Sequence, residues 1–314
     1  MNAHARGLRW TNLPGTHDPD APWARRSLGT LGAYWAVTDP RSAALLVFTA
    51  LAAGLVAGGL HAPARLAQIT LALALCSLGA RAVANYVDRD IDALMERTRR
   101  RPLPSGAIPA THALTLGLVL LAAGLLVSAS FGALVVALTI AGLADNLVVY
   151  AVLTKRSSPW SIVLGAPSGG APALVGYVAL AGRIDLTALF LLAFVVCWTP
   201  IHIWSLAIRS TDDYARAKVP MLPVTSSLRR GAQAIGVASF LLGWCSVLFV
   251  LTDSTRLVLV VAVAVVLLAV GLLLGSLWLL RAPTAARAWR LFKFTAPYLA
   301  LLFALLAVNA VMAG

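Results

Sequence analysis

Residues 85–106 read NYVDRDIDALMERTRRRPLPSG, four acids and five arginines in a chain that is otherwise overwhelmingly apolar. On a helix Asn85, Asp88 and Asp92 fall at i, i+3 and i+7, so an amide and two carboxylates share one face over two turns while Asp90 points roughly opposite. A carboxylate stripe binds cations, and hard divalent ions such as Mg²⁺ take carboxylate oxygens together with substrate phosphates. The arginines that follow, among them Arg97 and Arg101, carry planar guanidinium forks that match phosphate oxygens. Together these groups describe a diphosphate site. The same residues also fit a solvated helix end laced with surface salt bridges.

A second stretch repeats the chemistry. PIHIWSLAIRSTDDYARAKVPMLPV, residues 200–224, delivers Asp212, Asp213 and Tyr214 to the end of an apolar run and follows them with Arg216 and Lys218. Two acid clusters entering one site could bridge two Mg²⁺ (or Mn²⁺) ions around a diphosphate and neutralise the charge that develops as it leaves. The chemistry suggested is ionisation of an allylic diphosphate beside a lipid-accessible cavity. His202 and Asp145 lie deeper in apolar runs. For His202, the residue alone points to a hydrogen-bonded interhelical role. For Asp145, a part in steadying a carbocation or taking a proton stands beside simple pairing with Arg81.

The elements that position these residues are membrane spans. Sixty per cent of the 314 residues are hydrophobic and 12% are charged, a composition of polytopic membrane proteins. Apolar runs of about 20 residues, long enough to cross a bilayer, fall near 43–61, 67–87, 111–129, 132–153, 161–181, 186–208, 232–251, 257–280 and 293–312. The expected fold is therefore all-α, with nine transmembrane helices in one domain over 43–314 and a flexible amino-terminal tail over 1–42. No apolar leader with a cleavage site is read in the first 40 residues. Of the 25 lysines and arginines, 21 lie before the first span or after even-numbered spans, which places the amino terminus in the cytoplasm of a cell-membrane protein. The basic pI reflects topology and anionic lipid, and no soluble basic domain exists to grip nucleic acid. Two long cytoplasmic loops, 88–110 and 209–231, carry the acid clusters, and long loops in compact proteins tend to carry function. Cys76, Cys197 and Cys245 read as packing residues, and Trp160, Tyr177, Trp198 and Trp204 as interfacial anchors. A transporter shares many of these features, but its acids belong at broken helices near the midplane.

At these residues the chain resembles a known family. DRDIDALMERTRRRPL, YAVLTKR at 150–156, SIVLGAPSGGAPALVGY at 161–177 and HIWSLAIRSTDDYARAKVPMLPV at 202–224 look like the intramembrane UbiA prenyltransferases, and within them most like the branch that farnesylates protoheme IX. The resemblance implies a nine-helix ring around a central cavity capped by the two loops. It implies Mg²⁺-assisted ionisation of farnesyl diphosphate, attack on the allylic cation by a vinyl group of haem B, a substrate rather than a cofactor, and addition of water to complete haem O. By the same resemblance Asp88, Asp92, Asp212 and Asp213 are metal ligands, with Asp88, Asp92 and Asp213 catalytic. Arg97, Thr98 and Arg101 match the continuation of the first motif, Lys155 and Arg156 match an LKR signature, and Tyr214 and Lys218 belong to the second loop. Asn85, the amide nearest the first motif, joins Arg97, Arg101, Lys155, Arg156, Tyr214 and Lys218 as an expected diphosphate contact; the resemblance places a histidine at His202, which would contact or ligate the acceptor, and Asp145 is a second expected acceptor contact by its depth. Four positions depart from the family pattern. Ala84 stands where an asparagine is usual, Asp39 where TKPR has its lysine, Ser161 where an asparagine opens the glycine-rich stretch, and Ala173 where a second proline is usual. They leave diphosphate chemistry intact and bear on the acceptor, with a quinone precursor or other aromatic as the second reading.

Overall fold

A computed structural model describes residues 29–252 and 257–313, and among them the chain is helical with no strand. Its helices are α1 (Thr30–Val37), α2 (Pro40–Val56), α3 (Pro63–Leu94), α4 (Ala110–Ala129), α5 (Ala133–Ala144), α6 (Ser161–Leu164), α7 (Ala166–Ala181), α8 (Leu186–Arg209), α9 (Thr211–Arg216), α10 (Leu222–Thr225), α11 (Leu228–Thr252), α12 (Leu259–Arg281) and α13 (Ala285–Ala313). A π-helical segment, Asp145–Thr154, continues α5. Eight helical stretches are long and apolar enough to cross a membrane, and α1 with α2, bent by 48°, makes a ninth. This is a multi-pass membrane protein.

The first span differs from its expectation. The tail expected over 1–42 gives way to helix at Thr30, while residues 1–28 lie outside the described residues. Pro40 supplies the reason for the bend: it cannot donate a backbone hydrogen bond and disfavours helical geometry at the residue before it. Asp39, that preceding residue, takes a left-handed backbone with φ 43°, an uncommon state for a non-glycine.

Each span packs on the next in the chain and α13 returns to α2, which closes a ring in sequence order. The ring is not an open annulus. α2 also packs on α7, and α8 on α13, so the interior is divided, and one space within it lies among α2, α3, α5 and α7. In lipid there is no hydrophobic drive between helices, so close approach depends on small residues and interhelical hydrogen bonds. Gly79 and Gly117 supply the first between α3 and α4, where a Cβ on Gly79 would come within 2.8 Å of the Gly117 carbonyl oxygen. Trp198 Nε1 donating to the Thr295 carbonyl at 2.7 Å supplies the second between α8 and α13.

The long loops are more structured than a polar sequence suggests. α3 runs on to Leu94, so Asp88 and Asp92 stand on helix and the first connection begins at Met95. The second connection folds into α9 and α10. Both lie at one end of the bundle, together with the end of the π-helical segment. Trp198, Trp204 and Tyr177, expected at the interface, are buried, whereas Trp160 is exposed. The buried three are drawn inward by polar partners or packing: Tyr177 donates its hydroxyl to Asp185 at 2.9 Å, and Trp204 meets Trp160 edge-on.

Candidate active site

The helical stripe forms as its spacing dictates. Asn85, Asp88 and Asp92 are all buried, at 8%, 7% and 5% exposure, on the inner face of α3. Asp90 lies off that face and pairs in a fork with Arg156, whose other bond goes to the Val87 carbonyl. Arg156 therefore clamps the end of the π-helical segment onto the outer side of α3.

That clamp brings Lys155 to the inner side. Its Nζ donates to Asp88 Oδ2 at 2.5 Å. The i→i+5 winding aligns Tyr150 with Lys155, whose backbone N–H donates to the Tyr150 carbonyl. Lys155 Nζ lies 5.5 Å from the centre of the Tyr150 ring. Gly165 leaves room for that ring, since a Cβ there would come within 2.7 Å of Tyr150 Cβ. Tyr150 was not singled out from the sequence, and the aromatic residue five positions before the LKR-like lysine was the available signal.

From the first loop Arg101 reaches back to α3. Its Nη1 donates to Asp92 Oδ2 at 2.8 Å and to Asn85 Oδ1 at 3.2 Å. The Asn85 amide in turn donates to the Val37 carbonyl at 2.7 Å. Both ends of the Asn85 amide are thus engaged within the protein, in place of the expected direct diphosphate contact: Asn85 orients Arg101 and ties α1 to α3. Thr98 is buried and donates to the Asp92 carbonyl.

Asp213 joins the two loops. Its carboxylate accepts the backbone N–H groups of Glu96 at 3.0 Å and Arg97 at 3.2 Å and also pairs with Arg216. Burial pushes this carboxyl up, but the Arg216 guanidinium and the two backbone donors hold it below the usual carboxylate range. Asp212, Arg97 and Lys218 are exposed, and Tyr214 is buried. The structure does not gather the two acid pairs into one cluster: among the described residues no three His, Cys, Asp or Glu side chains converge on a common point. Asp213 is turned onto the neighbouring loop's backbone and Asp212 faces outward.

Asp88 nonetheless offers a metal donor. Its Oδ1 is buried with no hydrogen-bond partner, a bare carboxylate oxygen of the kind Mg²⁺ takes.

Two deeper residues find their partners within the bundle. Asp145 does not pair with Arg81; its Oδ2 accepts the Ser168 backbone N–H at 2.8 Å, because Arg81 is taken by Asp39. Asp39 stands where the family pattern has lysine, so a cation still faces this point but comes from α3. His202 is an interhelical histidine, with Nδ1 2.7 Å from Thr295 Oγ1 and its ring stacked between Trp198 and Phe292.

Comparisons with known proteins follow this geometry. The model of the UbiA prenyltransferase family matches residues 45–308. The chain is 45% identical over 277 residues to the protoheme IX farnesyltransferase of Desulforudis audaxviator, covering 87% of each. Among solved structures it is similar to a digeranylgeranylglyceryl phosphate synthase, with TM-score 0.75, 15% identity and coverage of 90% of this chain and 99% of that one. A UbiA homologue from Archaeoglobus fulgidus bound to GPP and Mg²⁺ superposes with TM-score 0.61 at 14% identity, over 87% of this chain and 99% of that one.

Proposed function

We propose, for a chain that belongs to the UbiA prenyltransferase family, that it transfers the farnesyl group of farnesyl diphosphate to the vinyl group of haem B, with water then adding to the cationic carbon left on the former vinyl group and losing a proton, making haem O and releasing diphosphate. The observation that carries the reading is the alternation of buried acids and bases at the bundle's loop end. Asp88 holds Lys155, Asp92 holds Arg101, and one Asp88 oxygen is left bare. Buried charges in a membrane protein are costly and are kept where they serve a site.

Asp88 and Asp92 would hold Mg²⁺, with substrate phosphate oxygens completing the donor set. Bound there, Mg²⁺ neutralises negative charge on the diphosphate. Lys155 and Arg101 then have a second role. In the empty site they are counter-ions for the carboxylates, and when the diphosphate arrives they turn to its oxygens, where donation strengthens as negative charge develops on the leaving group. Asn85 holds Arg101 in place for that exchange, and Arg156 is a positioning residue that acts through Lys155. Asp213 fixes the second loop over the first and so excludes water from the allylic cation. Tyr150, ring-on to Lys155, lines the same point. Arg97, Tyr214, Lys218 and Asp212 remain candidate contacts on the loops that close over it. The site faces the cytoplasm by the distribution of basic residues, in the cell membrane, and farnesyl diphosphate, haem B and lipid are its partners.

Mass spectrometry of lipid-soluble products after incubation with farnesyl diphosphate and haem B tests the reading. Haem O is expected. Haem B returned unchanged while an aromatic acid or quinol is prenylated would overturn the acceptor and leave the prenyl transfer.

A further inference from the structure

We infer that Arg81 anchors a carboxylate of the acceptor, with Asp39 as its resident counter-ion. The inference deepens the farnesyl-transfer reading and rests on it. Arg81 and Asp39 form a half-buried charge pair between α3 and the bend that joins α1 to α2. Such pairs are rare in membrane spans and mark substrate sites.

Arg81 is not spent on Asp39. The pair is made through one Nη, and the buried Nε has no hydrogen-bond partner. A guanidinium carries five donors in a planar fork suited to a carboxylate, and a buried donor left unmade is costly. The guanidinium borders a pocket among α2, α3, α5, the π-helical segment and α7. Its walls are apolar, including Leu46, Leu73 and Val175, and Ser77, Asn146 and Ser168 add polar groups. An anionic group carried on an apolar edge matches this lining.

The diphosphate has its own bases, Lys155 and Arg101, on the acids nearer the loop end. Arg81 precedes Asp88 by seven residues of α3, about 10 Å along the axis. Both side chains lean toward the helix N-terminus, so the axial offset between them is kept. A prenyl diphosphate carries its charge at one end only, and the rest is hydrocarbon. The second anion must therefore come from the acceptor, and haem B has two propionates.

The pair of ligands that tests this is haem B and its dimethyl ester, titrated spectrophotometrically into detergent-solubilised protein, with the KM for farnesyl diphosphate measured in parallel. Because Arg81→Gln alone strands Asp39 in the bundle, the variant is Arg81→Gln with Asp39→Asn, which removes both charges together. Wild type should bind the diacid about tenfold more tightly than the ester, as expected for one charge-assisted bond. The double variant should bind the two alike, with its KM for farnesyl diphosphate within about twofold of wild type, a pattern that a merely structural role for Arg81 would not produce. Equal binding of acid and ester by wild type, or a preference retained in the double variant, would overturn the assignment. If wild type farnesylates neither form of haem but prenylates an aromatic acid, the haem reading fails, and the acid-to-ester ratio for that acceptor decides Arg81 in the same way.

Discussion

Replacing Asp88 by Asn separates the catalytic account of the acid stripe from a structural one. The side chain is 10% exposed and its Oδ2 holds Lys155, itself only 14% exposed at the side chain. Removing one partner of a buried pair strands the other, at a cost of about 3–5 kcal/mol. Asp88→Asn should therefore lower thermal stability, and adding Lys155→Gln should restore much of that loss, because no buried charge is then left unpaired. Turnover should not follow. If Asp88 acts on the departing diphosphate, its loss removes stabilisation that grows in the transition state, and a drop of at least about 100-fold, some 2.7 kcal/mol, is expected. The double variant should remain as impaired as the single one or worse. Asp90 is the control on the same helix. Its pair with Arg156 is part-exposed, 39% and 24% at the two side chains, where ion pairs contribute about 0–1 kcal/mol. Asp90→Asn should cost less than about fivefold, through looser placement of Lys155. The assay is haem O formation at matched amounts of folded protein, with melting followed alongside. Equal losses at 88 and 90, or activity that returns with stability in the double variant, would refute the reasoning.

Other outcomes follow from the same geometry. Asn85→Ala should raise the KM for farnesyl diphosphate through a freed Arg101 and expose the α1–α3 contact to proteolysis, whereas a change in neither would deny it the positioning role. Excess chelator should abolish turnover and added Mg²⁺ restore it; full activity without divalent ions would remove Asp88 and Asp92 from metal binding. The Asp213 carboxyl is held below its ordinary value, so its contribution to loop docking is present above the unfolded-state value and fades as pH falls through the lower folded one. The protection of the Glu96 and Arg97 amides, corrected for intrinsic exchange at each pH, should accordingly fall in that acid window in wild type and stay constant there in Asp213→Asn. His202→Phe should keep the stack with Trp198 and Phe292 and lose the Thr295 bond, costing about 1 kcal/mol, with the absorption spectrum of bound haem B unchanged. An altered spectrum would make His202 a haem ligand.

What the sequence determined by itself is what local periodicity controls. The 3.6-residue repeat places Asn85, Asp88 and Asp92 on one face and Asp90 off it whatever surrounds the helix, and the structure buries the three and pairs Asp90 elsewhere. Apolar length alone marked nine spans, because a bilayer of fixed thickness admits no other reading of such runs. Tertiary structure decided which base meets which acid. Lys155 and Asp88 are 67 positions apart, and Asp213 and Glu96 are 117 apart, in a chain with 25 basic residues to choose among. Spacing cannot rank those pairings; the packing of the π-helical segment on α3 and of one loop on the other does. Packing likewise took Arg81 from Asp145 and gave it to Asp39, since the break before Pro40 turns that carboxylate toward α3. The division of the ring by α2 on α7 is of the same kind. It depends on small residues meeting across helices far apart in sequence, a contact that leaves no periodic mark on either strand of the pattern.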